Sequence, residues 1–286
     1  MTRGQRRPAG ARGTVGRRAV AGYLLLAVAI SWACWLPLVV TGQVVRIGGD
    51  ATHLPGLLGP ALAAAAVALL TGDGDRLHRR VTRWRIGWWW LVALSPAAMV
   101  AVAVGAAALT GDAPRPADFA LVNGFPAWGF AGLLALLVVV NGFGEETGWR
   151  GYLQPRLQRR FRPLAATALL TLAWAGWHLP LFALLSSYRG FSVATLVGFL
   201  IGLFCGALVL GWLFNHTGSV PAVAVWHALY NVGAATAAAT GTIAAVVTTM
   251  VIVQAVVLVV AELATRGRTF APVPAARDDD GGCNGN

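Results

Sequence analysis

The sequence predicts an all-α protein: a polytopic membrane bundle of about eight transmembrane helices, with both termini in the cytoplasm. Three observations carry that expectation. The 286 residues are 57% hydrophobic and only 12% charged, far less charge than a water-facing surface of this size displays. Apolar runs near or beyond the length that crosses a bilayer recur along the chain. All 22 basic residues are arginine, and they gather in alternate connecting segments, the asymmetry that the positive-inside rule describes.

The elements follow in order. Residues 1–19 are polar and hold Arg3, Arg6, Arg7, Arg12, Arg17 and Arg18, which reads as a disordered basic tail. The apolar run at 20–43 is too long for a signal-peptide core and lacks a clean small-residue cleavage site after it, so it is expected to stay attached as the first span. Further runs fall near 54–71, 88–110, 127–149, 164–186, 192–214, 219–238 and 240–263. The run at 54–71 is short and contains Pro55 and Pro60. Residues 20–263 are thus expected to form one transmembrane domain, followed by a disordered tail at 264–286 that ends in Asp278, Asp279, Asp280 and a Gly/Asn stretch.

Arginine placement sets the orientation. The loop after the second span holds Arg76, Arg79, Arg80, Arg83 and Arg85, and the stretch after the fourth holds Arg156, Arg159, Arg160 and Arg162. The intervening loops carry only Arg46, Arg115 and Arg189. Trp84, Trp88, Trp89 and Trp90 fit an interfacial aromatic belt leading into the third span. The formal net charge of +11 therefore belongs to membrane topology, and a nucleic-acid partner is not expected. Cys34, Cys205 and Cys283 show neither disulfide nor metal-site spacing, and Asn284 and Gly285 after Cys283 do not make a prenylation signal. The absence of lysine, with much Ala, Gly and Val, suggests a GC-rich bacterial coding sequence.

Function is expected from the polar groups inside the apolar runs, because ionisable side chains are costly there. Two of the three glutamates, Glu145 and Glu146, stand side by side at the end of the fourth run. They are ~100° apart on a helix and cannot share a face. Glu146 and Arg150 have the i, i+4 spacing of an ion pair, which leaves Glu145 to act on water. His178 lies mid-span, four residues after Trp174, and must find a partner there. His227 and Asn231, also i, i+4, put two polar groups on one face of another span, suited to a developing oxyanion. His216 sits in the turn before Pro221 and reads as structural.

Glu-Glu-x-x-x-Arg, an aromatic-x-x-x-His and His-x-x-x-Asn on successive spans resemble the CAAX protease and bacteriocin-processing family, also called Abi or type II CAAX prenyl endopeptidases. Gly148-Trp149-Arg150-Gly151-Tyr152-Leu153 and His216-Thr217-Gly218-Ser219 are similar to it as well. The likeness covers roughly 125–235, and one departure is Trp174, where the family pattern more often has phenylalanine. The resemblance implies an intramembrane endopeptidase of the bacterial cell membrane that cleaves a membrane-embedded or lipid-associated peptide or protein. It implies Glu145 as the base, Glu146 with Arg150 as its support, and His178, His227 and Asn231 as groups that position water and stabilise the oxyanion. Such enzymes are often labelled metalloproteases. A zinc ion on Glu145, His178 and His227 and a metal-free glutamate mechanism both suit these residue types. The lack of His-x-x-x-His spacing favours the metal-free form. Two other functions fit the same residues: a non-enzymatic bacteriocin self-immunity or scaffold protein of the same fold, and a proton-coupled transporter.

Overall fold

The computed structural model describes residues 9–84 and 87–271, with side chains from residue 17 onward. The expected tail positions before residue 9 and after 271, Cys283 among them, lie outside the described residues. The described chain is helical throughout, with no strand beyond one isolated bridge between Val45 and Leu185. The architecture is an all-α bundle.

Its main helices are α1 (Ala9–Val40), α2 (Gly59–Leu70), α3 (Ser95–Thr110), α4 (Gly129–Leu157), α5 (Pro163–Leu184), α6 (Val193–Thr217), α7 (Val220–Ala234) and α8 (Gly241–Ala264). Five of them, α4, α5, α6, α8 and the part of α1 from Arg17 to Val40, are long and apolar enough to cross a membrane. α2 and α3 are shorter apolar helices. α1 starts at Ala9, inside the stretch expected to be a disordered tail. At the other end, residues after α8 are held as well: the Phe270 N–H donates to Glu262 Oε2 at 2.7 Å, and the Phe270 carbonyl accepts from Asn215 Nδ2 at 2.7 Å. The expected tail at 264–286 therefore begins with a packed segment, because a buried carboxylate and a buried amide each need a partner.

Local sequence explains the breaks. Leu54–Leu57 and α2 are separate helices that begin at Pro55 and Pro60, each in the first turn, where the missing N–H costs nothing. α5 is two α-helices, Pro163–Trp177 and Leu179–Leu184, joined at His178 because Pro180 cannot continue the hydrogen-bond ladder. Asp112 caps the start of α8 by accepting from the Thr242 N–H at 3.0 Å, and that bond holds its carboxyl below the usual carboxylate range.

α4 is the least regular element and the most consequential. It runs as α-helix to Leu136, π-helix over Leu137–Phe143, α-helix over Gly144–Gly148, and π-helix again over Trp149–Leu153. π segments of this kind recur at functional sites, since the extra residue redirects side chains. Glycines let neighbours close on it. A Cβ at Gly148 would stand 2.6 Å from the Pro60 carbonyl oxygen of α2, and one at Gly142 would stand 2.7 Å from that of Ala224 in α7. Around this helix the core is rich in large rings, with Trp35, Trp149, Trp177 and Trp226 all buried.

Candidate active site

The glutamate pair occupies the short α-helical turn between the two π segments, and both residues are buried. Their environments differ as the ~100° step between neighbours requires. Glu146 points into the protein, where Oε1 accepts from Arg150 Nη1 at 2.8 Å and from His227 Nδ1 at 2.8 Å. Arg150 is wholly buried, and its guanidinium carbon stands 4.5 Å from the centroid of the Trp174 ring. Glu145 points instead into a cavity of about 660 Å³. Its Oε2 accepts from the Trp174 indole N–H at 2.8 Å, and its Oε1 accepts from Asn141 Nδ2 at 3.3 Å.

His178, His227 and Asn231 line the same cavity as Glu145, whereas Glu146 and Arg150 do not. Trp174 is the hub of the cluster. Besides bonding Glu145, its ring lies 5.8 Å from that of His178 and edge-on at 5.6 Å to that of His227. His178 Nδ1 faces the Trp174 carbonyl oxygen at 2.7 Å. A carbonyl can only accept, so Nδ1 carries the proton, and the neutral ring presents Nε2 as an acceptor. His227, with Nδ1 on the Glu146 carboxylate, is fixed in the same sense. Both imidazoles therefore accept at Nε2 when neutral and donate there only as imidazolium. This refines the oxyanion role expected for them. Asn231 alone among the three donates a hydrogen bond whatever its protonation.

That tautomer is also the one a zinc-bound histidine adopts, with the second nitrogen on a carbonyl or carboxylate. Among the described residues no three His, Cys, Asp or Glu side chains stand as a group that could hold a metal ion.

Several lining residues gave no signal in the sequence. His53, in the loop before Leu54–Leu57, lines the cavity, and burial pushes its imidazole down to about 4. Asn123, in a loop, and Ser187, in the short helix Ser186–Arg189, are joined by a 2.7 Å hydrogen bond from Asn123 Nδ2 to Ser187 Oγ. His216 does not line the cavity. It lies on the Trp212 ring at 4.4 Å with Nδ1 at the Trp212 carbonyl.

Residues 127–233 match the family model described as Type II CAAX prenyl endopeptidase Rce1-like. This segment is similar to that CAAX endopeptidase-like family. Over 107 residues the chain is also 29% identical to CAAX prenyl protease 2 of Methanococcus maripaludis, a stretch that makes up 36% of this chain and 39% of that protein. The chain thus matches well under half the length of that curated relative. The CAAX endopeptidase-like segment runs from α4 through α7, so Glu145, Glu146, Arg150, Trp174, His178, His227 and Asn231 all fall within it. α1, α2, α3 and α8 lie outside it and supply packing, and α8 adds Ala244 and Thr248 to the cavity wall.

Proposed function

We propose that the protein is an intramembrane endopeptidase that hydrolyses a peptide bond of a membrane-associated protein or peptide. The observation that carries this reading is the split of the two carboxylates. Glu146 is consumed by Arg150 and His227 behind the cavity wall, while Glu145 faces a cavity shared with His178, His227 and Asn231. The family match and the likeness to CAAX prenyl protease 2 of Methanococcus maripaludis support the reaction class.

In this mechanism Glu145 takes a proton from a water in the cavity as the water oxygen bonds to the scissile carbonyl carbon. The Trp174 N–H keeps the carboxylate aimed, and Nε2 of His178 orients the water by accepting a hydrogen bond from its second O–H, which stays on the oxygen. The oxyanion of the tetrahedral intermediate accepts from the Asn231 amide. Glu145 then returns its proton to the departing nitrogen as the C–N bond breaks, which leaves a new carboxyl and a new amino terminus.

The test is Glu145→Gln, which keeps the shape and removes the base. Proteomics of protein termini in membranes from wild-type and Glu145→Gln cells should show termini that vanish with the variant, while the variant accumulates to normal levels. A non-enzymatic scaffold or immunity protein would lose no terminus, and that outcome would reject the hydrolase reading.

A further inference from the structure

The connecting segments fall on two faces. On one, Val45 N–H donates to the Leu184 carbonyl, Gly124 N–H to the Arg46 carbonyl, Asn123 to Ser187, and Ala237 N–H to the Leu121 carbonyl. These contacts gather the segments 41–53, 111–128, 185–192 and 235–240. On the other face Arg80 Nη1 donates to the Gly151 carbonyl, Ser219 Oγ to the Arg83 carbonyl, and Asn215 Nδ2 to the Phe270 carbonyl. Arg156 adds an ion pair to Asp73 there.

The cavity belongs to the first face alone. All four of its segments contribute lining, represented by Ile47, Asn123, Ser187 and Thr240. Ile47, Ser187 and Thr240 are exposed, whereas Glu145 is buried, so the cavity opens at that face and the carboxylate lies inside it. No residue of the segments 71–84, 154–162, 214–219 or 264–271 lines it. Between the cavity and that second face stand Trp149, Arg150 and Tyr152, each fully buried.

The two faces differ in charge. The cavity face carries Arg46, Arg115 and Arg189. The closed face carries four arginines between 76 and 83, four between 156 and 162, and Arg266 and Arg268. Ten against three is the asymmetry that places the closed face in the cytoplasm. Among the described residues no arginine lines the cavity. Its mouth offers amides, hydroxyls and the rings of Tyr188, Phe191 and Phe199.

We infer that the cavity receives its substrate from the extracytoplasmic side, as an extended polypeptide segment that is uncharged around the bond presented to Glu145. A charged side chain there would be desolvated with no fixed counter-charge, while a backbone could bond to Asn123, Ser187 and Asn231. The volume of about 660 Å³ suits a few residues of such a segment. This inference rests on the hydrolase reading for the fate of the segment, and on the cavity and the arginines alone for its direction of approach.

The experiment separates the two. In full-length protein with Cys34→Ala, Cys205→Ala and Cys283→Ser, single cysteines are placed at the mouth by Ser187→Cys and on the closed face by Thr82→Cys. Intact cells are treated with a charged, membrane-impermeant maleimide. Ser187→Cys should label as fully in intact as in permeabilised cells, and Thr82→Cys only after permeabilisation. Thr240→Cys repeats the measurement at a second mouth position should Ser187→Cys fail to accumulate. Labelling of the mouth cysteines only after permeabilisation would overturn the inference. So would Glu145-dependent cleavage sites that map to cytoplasmic segments. Outside labelling with no Glu145-dependent terminus would leave the direction of approach standing and reject the hydrolase reading instead.

Discussion

Trp174→Phe isolates one hydrogen bond at the centre of the site. The substitution keeps an aromatic ring at a position only 4% exposed, and so keeps most of the packing against Arg150, His178 and His227. It removes the indole N–H that donates to Glu145 Oε2 at 2.8 Å and leaves the carboxylate with Asn141 at 3.3 Å. A hydrogen bond to a charged group contributes ~1.5–3 kcal/mol. At ~1.4 kcal/mol per decade of rate, a carboxylate that must be re-aimed in each transition state loses roughly 10- to 100-fold in kcat. KM should change little, because Trp174 sits at the inner end of the cavity, away from the mouth. The assay is hydrolysis of a peptide spanning a cleavage site that depends on Glu145, with thermal unfolding in detergent measured in parallel. A Trp174→Phe enzyme with unchanged kcat would refute the aiming role. A fall in kcat accounted for by unfolded protein would refute it equally.

Other substitutions read other parts of the site. Glu146→Gln leaves Arg150 buried without its ion pair and loosens His227, a class of change that costs ~3–5 kcal/mol; a clear drop in the unfolding midpoint and lower accumulation are expected. Asn231→Ala should fold normally and retain a remnant of activity, since one oxyanion donor contributes ~10²–10³-fold; complete loss would assign Asn231 more than that single bond. For the metal, the expectation is that chelators leave the purified enzyme active and that elemental analysis finds substoichiometric zinc. An equivalent of tightly held zinc in active protein, lost together with activity in His227→Ala, would establish the zinc mechanism instead.

What the sequence reveals here is what short-range rules control. Apolar length alone identifies α1, α4, α5, α6 and α8, and the cost of polar groups in apolar runs singles out Glu145, Glu146, Arg150, His178, His227 and Asn231. The i, i+4 pairing of Glu146 with Arg150 is observed at 2.8 Å. Long-range partners are another matter. No spacing rule connects Trp174 with Glu145, and an exchange of Phe for Trp reads as conservative until the N–H has an acceptor. His53, Asn123 and Ser187 reach the cavity only because three connecting segments fold onto one face. Glu262 reads as an ordinary helix-end charge, yet it is buried and caps the segment that follows α8. The π segments of α4 escape a 3.6-residue periodicity by their nature.

The charges of the cluster show why two adjacent glutamates can coexist in so apolar a setting. Two acids face one guanidinium, so one of them has no fixed counter-charge. Arg150 and His227 both bond Oε1 of Glu146, so the compensated carboxylate is the one behind the wall. The acid without one is therefore Glu145, whose partners, the indole of Trp174 and the amide of Asn141, are neutral. An uncompensated carboxylate is tolerable inside a bundle only where it meets water or donors, and the cavity is where Glu145 points. Exchange of the two roles is not open to the chain. Moving the Arg150 bond to Glu145 would need a turn of ~100° in a helix whose Gly142 and Gly148 are already closed upon by α7 and α2. The same close packing that makes α4 irregular thus decides which glutamate is left without a charged partner.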